Sequence, residues 1–137
     1  MRLEDYREAV VEWLRAKQRC ESLRALMDAS GQDYSAPKVQ TSPQDRMAEV
    51  MARLLDREQI EKEKRAKMLD TFSQIEDRIY ELEDEDERSI LTERYLHFDI
   101  KSPARYREWE EIAITLTWSL SKVYKVHKNA VSHYYKD

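Results

Sequence analysis

Glycine occurs once in these 137 residues, proline three times and cysteine once. With so few helix-breaking residues and 38% of positions charged, the chain is expected to be almost wholly helical. A single glycine cannot supply a glycine-rich phosphate loop. The lone Cys20 has no intrachain partner for a disulfide, which points to a reducing compartment. Its place on the apolar face of the first helix makes it a core residue. No apolar run approaches the length needed to cross a bilayer, and the opening Met-Arg-Leu-Glu-Asp-Tyr is charged and periodic, unlike a signal peptide. A cytoplasmic protein without membrane contact is therefore expected. The three histidines, His97, His127 and His133, share no metal-ligand spacing with Cys20 or with nearby carboxylates. Neither a metal, a cofactor nor catalysis is expected.

The residues that are present organise themselves most clearly in the last third. Ile112, Ala113 and Leu116 recur at helical spacing, the pattern breaks at Thr117-Trp118, and it restarts at Ser119, a hydroxyl suited to capping the next helix. From there Val123, Val126, Ala130 and Val131 share one side. Ser121, Lys122, Tyr124, Lys125 and Lys128 fall largely on the others. Ala113 is small enough to let two steeply crossing helices approach. A helix-turn-helix is the expected arrangement, with an apolar back and a basic front on its second helix. Such a helix suits a major groove, early residues meeting base edges and flanking lysines meeting phosphates. The competing reading is a helical hairpin with a solvated lysine face. Thr117 stands where such turns often use Gly or Asn to reach the left-handed region, at a cost on the order of 1 kcal/mol.

Net charge is −4, but it is unevenly distributed. From Glu76 to Arg88 eight acidic residues against two basic ones give −6, whereas from Ser119 to Asp137 four lysines against one aspartate give +3. The sign changes where DNA would be met. His127 is read as a partly buried spacer rather than a DNA contact, Trp109 and Trp118 as packing for the head, and Tyr134 and Tyr135 as packing or backbone contacts.

Ahead of this head lie two long helical patterns. The first spans about Arg2 to Met27, with Leu3, Tyr6, Val10, Trp13, Leu14, Cys20, Leu23 and Met27 on its apolar stripe. Asp28 to Thr41, with Gly31 and Pro37, reads as a loop. Ser42 followed by Pro43 signals the start of a second helix reaching about Leu82, some 40 residues or roughly 60 Å. Its apolar residues form two blocks, Met47 to Leu55 and Met68 to Leu82, separated by the charged stretch Arg57 to Lys67. The first block is expected to pair with the N-terminal helix as an antiparallel hairpin. The second either extends that seam, contacts another subunit, or is covered by the head folding back. Left-over apolar surface favours a homo-oligomer through these helices. Asp84 and Glu87 have the spacing of a capping box, so a third helix is expected near Asp84, carrying Ile90, Leu91, Tyr95 and Leu96 into the core of the head. The expected organisation is thus all-α, with a helical hairpin or coiled-coil body over 1–82 and a DNA-binding head over 83–137.

The run Arg88-Ser89-Ile90-Leu91-Thr92-Glu93-Arg94-Tyr95-Leu96, followed by Trp109-Glu110-Glu111-Ile112-Ala113 and by Ser119 to Ala130, resembles region 4 of sigma factors. With Val39-Gln40-Thr41-Ser42-Pro43 before the middle helix and His127-Lys128-Asn129-Ala130 in the last, nearly the whole chain resembles small phage and prophage regulators of Gram-positive bacteria, the RinA-type and ArpU-type late-gene regulators. The resemblance implies transcriptional regulation and double-stranded DNA as the partner. Twelve residues, His97 to Glu108, stand where those proteins have a short connection. This segment either adds phosphate contacts through Lys101, Arg105 and Arg107, or is a solvated loop pinned by Phe98 and Ile100.

The expected function is that of a phage-type, sequence-specific transcriptional regulator. Leu120, Ser121, Lys122, Tyr124, Lys125 and Lys128 would touch bases or phosphates, and bacterial RNA polymerase is a further candidate partner. Two alternatives use the same architecture: the small subunit of a phage terminase, and an adaptor that grips polymerase or a sigma factor without DNA.

Overall fold

A computed structural model of the chain describes residues 1–30, 43–99 and 101–136. Among the described residues every regular element is helical, and there is no strand. The helices are α1 (Asp5–Ser30), α2 (Pro43–Tyr80), α3 (Glu85–Leu91), α4 (Trp109–Leu116) and α5 (Leu120–Tyr134), and a π-helical turn, Thr92–Leu96, continues α3. The expected all-α class is what is found. Helix α1 begins at Asp5, whose carboxylate accepts the Arg2 backbone N–H at 2.8 Å and its Nε–H at 3.1 Å. Pro43 is the first residue of α2, as its missing N–H favours. Ser42 of the start signal, Gly31, Pro37 and most of the expected loop lie outside the described residues, as does Ile100.

Two compact units are formed, and the division does not fall at residue 82. One unit is Glu12–Ala66; the other combines Met1–Val11 with Lys67–Asp137. The Glu12–Ala66 unit pairs α1 with α2 in antiparallel sense. Lys64 Nζ meets Glu12 at 3.3 Å, Trp13 Nε1–H donates to Glu61 at 2.9 Å, and further along α1 Arg24 meets Glu58 at 2.9 Å. Ala16, Cys20 and Leu54 are buried between the helices, and burial pushes the Cys20 thiol up from its ordinary pKa. The charged stretch of α2 carries an ion pair one turn apart, Arg65–Glu61 at 2.7 Å. Ion pairs this exposed contribute little, so the apolar seam carries the pairing. Leu26, Met51 and Leu55 stay on the outside of this unit.

The other unit gathers α3, α4 and α5 with the start of α1 and the end of α2. Its fully buried side chains include Leu3, Val10, Ile75, Ile79, Ile90, Leu91, Ile112 and Val123, each worth roughly 1.5–3 kcal/mol relative to exposure. The second apolar block of α2 is thus covered within the chain. Met68, Ile75, Ile79 and Leu82 are buried, although Leu69 is not. Polar clasps hold the same unit together: Arg78 Nε–H donates to the Tyr134 carbonyl at 3.1 Å, the Leu3 N–H to the Tyr135 hydroxyl at 3.0 Å, and the Tyr134 hydroxyl to the Met1 carbonyl at 3.2 Å.

Helix α3 is capped by Asp84, whose Oδ1 accepts the N–H groups of Asp86 at 2.8 Å and Glu87 at 3.4 Å. Only the first half of the expected capping box is used. The Glu87 carboxylate, buried, instead meets His133 Nδ1 on α5 at 2.8 and 2.9 Å, linking α3 to α5 across 46 residues of sequence. The π-helical turn that follows keeps Tyr95 and Leu96 buried.

Candidate nucleic-acid interface

Helix α4 and helix α5 are joined by Thr117, Trp118 and Ser119. Thr117 has φ 59° and ψ 37°, in the left-handed region. Its N–H donates to the Ile114 carbonyl at 3.2 Å and the Trp118 N–H to the Ala113 carbonyl at 3.0 Å. These two bonds satisfy the last carbonyls of α4 and reverse the chain. Ser119 is extended, and its Oγ accepts the Lys122 N–H at 3.2 Å, capping α5 as its residue type suggests. Ile112, Ala113, Val123 and Ala130 are buried, while Val126 and Val131 are half-buried along the same side. The apolar back read from the spacing is therefore real, and it fixes which face of α5 is left outside.

That outer face carries every α5 residue expected to touch DNA. Leu120, Ser121, Lys122, Tyr124, Lys125 and Lys128 are all exposed. They are not equivalent. Lys122 Nζ lies 3.3 Å from Asp86 of α3 and 4.5 Å from the centre of the Trp118 ring, so its charge is partly committed. Tyr124 sets its ring against Trp109 with ring centres 5.7 Å apart, and it remains exposed. Among the described residues Lys125 and Lys128 have no ion-pair partner, and with Ser121 they are spaced by four and three along one stripe.

Behind the stripe sits an aromatic and cationic cluster that local sequence patterns do not show. His127 Nε2 is 2.8 Å from the Tyr95 hydroxyl, its ring stacks on Tyr95, and the edge of Trp109 approaches it with ring centres 4.6 Å apart. The spacer role read for His127 fits this half-buried setting. Burial, helped by the nearby Arg94 charge, lowers the His127 pKa, and burial pushes that of Tyr95 up to about 12. Arg94 lies over Trp109 at 4.0 Å and over Tyr106 at 5.1 Å, and donates to the Arg107 carbonyl. Trp109 thus packs as expected, through side chains brought from three separate stretches.

The segment 97–108 is pinned from α1. Arg7, almost fully buried, donates to the carbonyls of His97 at 2.6 Å and Pro103 at 3.2 Å, and its guanidinium lies 4.9 Å from the centre of the Tyr106 ring. Phe98 contributes an edge contact to Tyr6 at 6.2 Å, in line with one of the two roles read for this segment. Its three basic residues diverge. Arg105 pairs with Glu108 at 2.9 Å and reaches Glu111 at 3.8 Å. Arg107 is held by Glu93 and by the Thr115 hydroxyl, the latter at 2.7 Å. Two of the three residues read as backbone contacts are thereby spent on intramolecular carboxylates. Only Lys101 is exposed without such a partner among the described residues.

Among the described residues no group of three His, Cys, Asp or Glu side chains could hold a metal ion, and no helix is long and apolar enough to cross a membrane. No protein-family model, curated protein or solved structure matches this chain.

Proposed function

We propose that this chain is a cytoplasmic, phage- or prophage-type transcriptional regulator that binds double-stranded DNA through α5. The observation that carries the reading is the exposed stripe Ser121, Lys125 and Lys128, held outward because Ile112, Ala113, Val123 and Ala130 bury the opposite side. In this reading Leu120 offers an apolar contact to a thymine methyl, Ser121 and Tyr124 hydrogen-bond to base edges or phosphates, and the lysines meet phosphates or guanine. Lys122 exchanges its Asp86 partner for a phosphate on binding, so its contribution is smaller than that of Lys125 or Lys128. The sigma-region-4 resemblance supports the same role, and the exposed Leu26, Met51 and Leu55 support self-association through the hairpin. No catalytic role is assigned to any side chain.

The test is selection of bound fragments from phage and host genomes, followed by binding measurements across a salt series. Promoter fragments are expected. Lys125→Ala and Lys128→Ala should each reduce the slope of log affinity against log salt by about 0.9 if they are phosphate contacts. Unchanged affinity in both variants, or no duplex binding at all, refutes the proposal. Recovery of genome ends in place of promoters would favour the terminase reading. The adaptor reading has one observation of its own: Ile114 on α4 is 77% exposed, and an apolar side chain there suits a protein surface better than a phosphate.

A further inference from the structure

The Glu12–Ala66 unit carries a basic groove that the α5 reading does not use. Arg15 and Arg19 on α1 and Arg53 and Arg57 on α2 line it, together with Gln18 and Leu23, around about 480 Å³ of open space. Each arginine pair is spaced one helical turn apart, about 5–6 Å between side-chain origins. Like charges at that spacing repel and weaken a helix, and here two such pairs are set side by side. No carboxylate lines the groove, and among the described residues none of the four guanidiniums has an ion-pair or side-chain hydrogen-bond partner. Three carboxylates of this unit are engaged elsewhere: Glu58 with Arg24, Glu61 with Arg65 and Trp13, Glu12 with Lys64.

We propose that this groove is a second nucleic-acid site, which holds the phosphodiester backbone of double-stranded DNA by arginine forks without reading bases. Guanidinium groups bind phosphate oxygens bidentately, and two parallel rows match a polyanion whose charges repeat along a strand. All four arginines are exposed rather than enclosed, which suits a backbone running past better than a small captured anion. The site makes no use of α5, so it goes beyond the function proposed above.

Full-length protein, a labelled random-sequence duplex and fluorescence anisotropy across a salt series test it. Four proteins are compared: wild type, a groove variant (Arg15→Gln, Arg19→Gln, Arg53→Gln, Arg57→Gln), the same four positions changed to lysine, and Lys125→Ala/Lys128→Ala. The glutamine variant should lose about 3 to 4 from the salt slope and at least tenfold in affinity at moderate salt, while the lysine variant keeps most of the slope. An unchanged slope and affinity in the glutamine variant overturns the proposal, and absence of duplex binding by the wild type overturns it too. If only the Lys125→Ala/Lys128→Ala protein fails, the groove is refuted and the α5 reading stands; if only the groove variant fails, the reverse holds. Inorganic tripolyphosphate as competitor separates the sources: a groove built for a small anion would be saturated by it at micromolar concentration, which would also overturn the assignment to duplex DNA. Should the fourfold glutamine change lower the helical circular dichroism, Arg15→Gln/Arg19→Gln and Arg53→Gln/Arg57→Gln are each expected to remove about half of the slope change, and no change in either overturns the proposal.

Discussion

Replacing Thr117 by glycine should stabilise this protein. Thr117 is the one described non-glycine residue with positive φ, at 59°, and its β-branched side chain sits poorly there. The left-handed conformation costs an L-residue roughly 1–2 kcal/mol, because Cβ crowds the carbonyl oxygen that follows. Glycine removes that cost but gives back roughly 0.5–1 kcal/mol through the greater freedom of its unfolded chain. The two backbone bonds of the turn, from the Thr117 and Trp118 N–H groups, are kept in the variant. What is lost is the bond from the Thr117 hydroxyl to the Leu116 carbonyl, which is exposed and therefore small. The net is a gain of about 0.5–1 kcal/mol, or a rise of about 2–5 °C in Tm for a chain of this size. Circular dichroism melting at fixed concentration and urea titration both read it. Thr117→Asn should give a smaller gain and Thr117→Ala little change, since alanine keeps Cβ. A Thr117→Gly protein that melts at or below the wild-type temperature, with Thr117→Ala above it, would show that the crowding argument is wrong.

Two further outcomes follow from buried polar groups. His127 is held below its ordinary pKa by burial, so the unfolded chain takes up a proton at a higher pH than the folded one. Its contribution to stability is present above about pH 6.5 and is lost as pH falls from there toward the depressed folded value. Urea unfolding at pH 7.5, 6.5 and 5.5 should show stability dropping over that window, and His127→Phe should flatten the drop; an equal drop in both proteins excludes His127 as its source. Arg7→Lys should cost about 2–3 kcal/mol, since an ammonium cannot fork to the His97 and Pro103 carbonyls together. Hydrogen exchange in that variant should rise across 97–106 before α5 loosens, and uniform exchange across both would place Arg7 outside the clasp assigned to it.

Much of the local architecture was legible because it depends on neighbours within a turn or two. The Ser119 cap, the Asp84 cap, Pro43 at a helix start and the apolar side of α5 are all decided by residues three or four positions apart. Thr117 stands where turns of this motif often reach the left-handed region, and it adopts that conformation. The exposure of Ser121, Lys125 and Lys128 is the geometric complement of that apolar side. Contacts between distant stretches left no such trace. Glu87 has the spacing of a capping-box residue yet is drawn to His133, and Arg107 looks available for phosphate until Glu93 stands beside it.

The chain's own order of residues was enough to decide that it is helical, within about three residues where the two long helices lie, and which side of the last helix is apolar, because hydrogen bonds within a helix and the 3.6-residue period act locally. Only the tertiary structure decided which charges are free. A guanidinium stays available when packing brings no carboxylate to it, as for Arg15, Arg19, Arg53 and Arg57, and it is spent when packing does, as for Arg107. The arginine spacings were in plain view along the chain, but the pairing of α1 with α2 is what sets the two rows facing one groove.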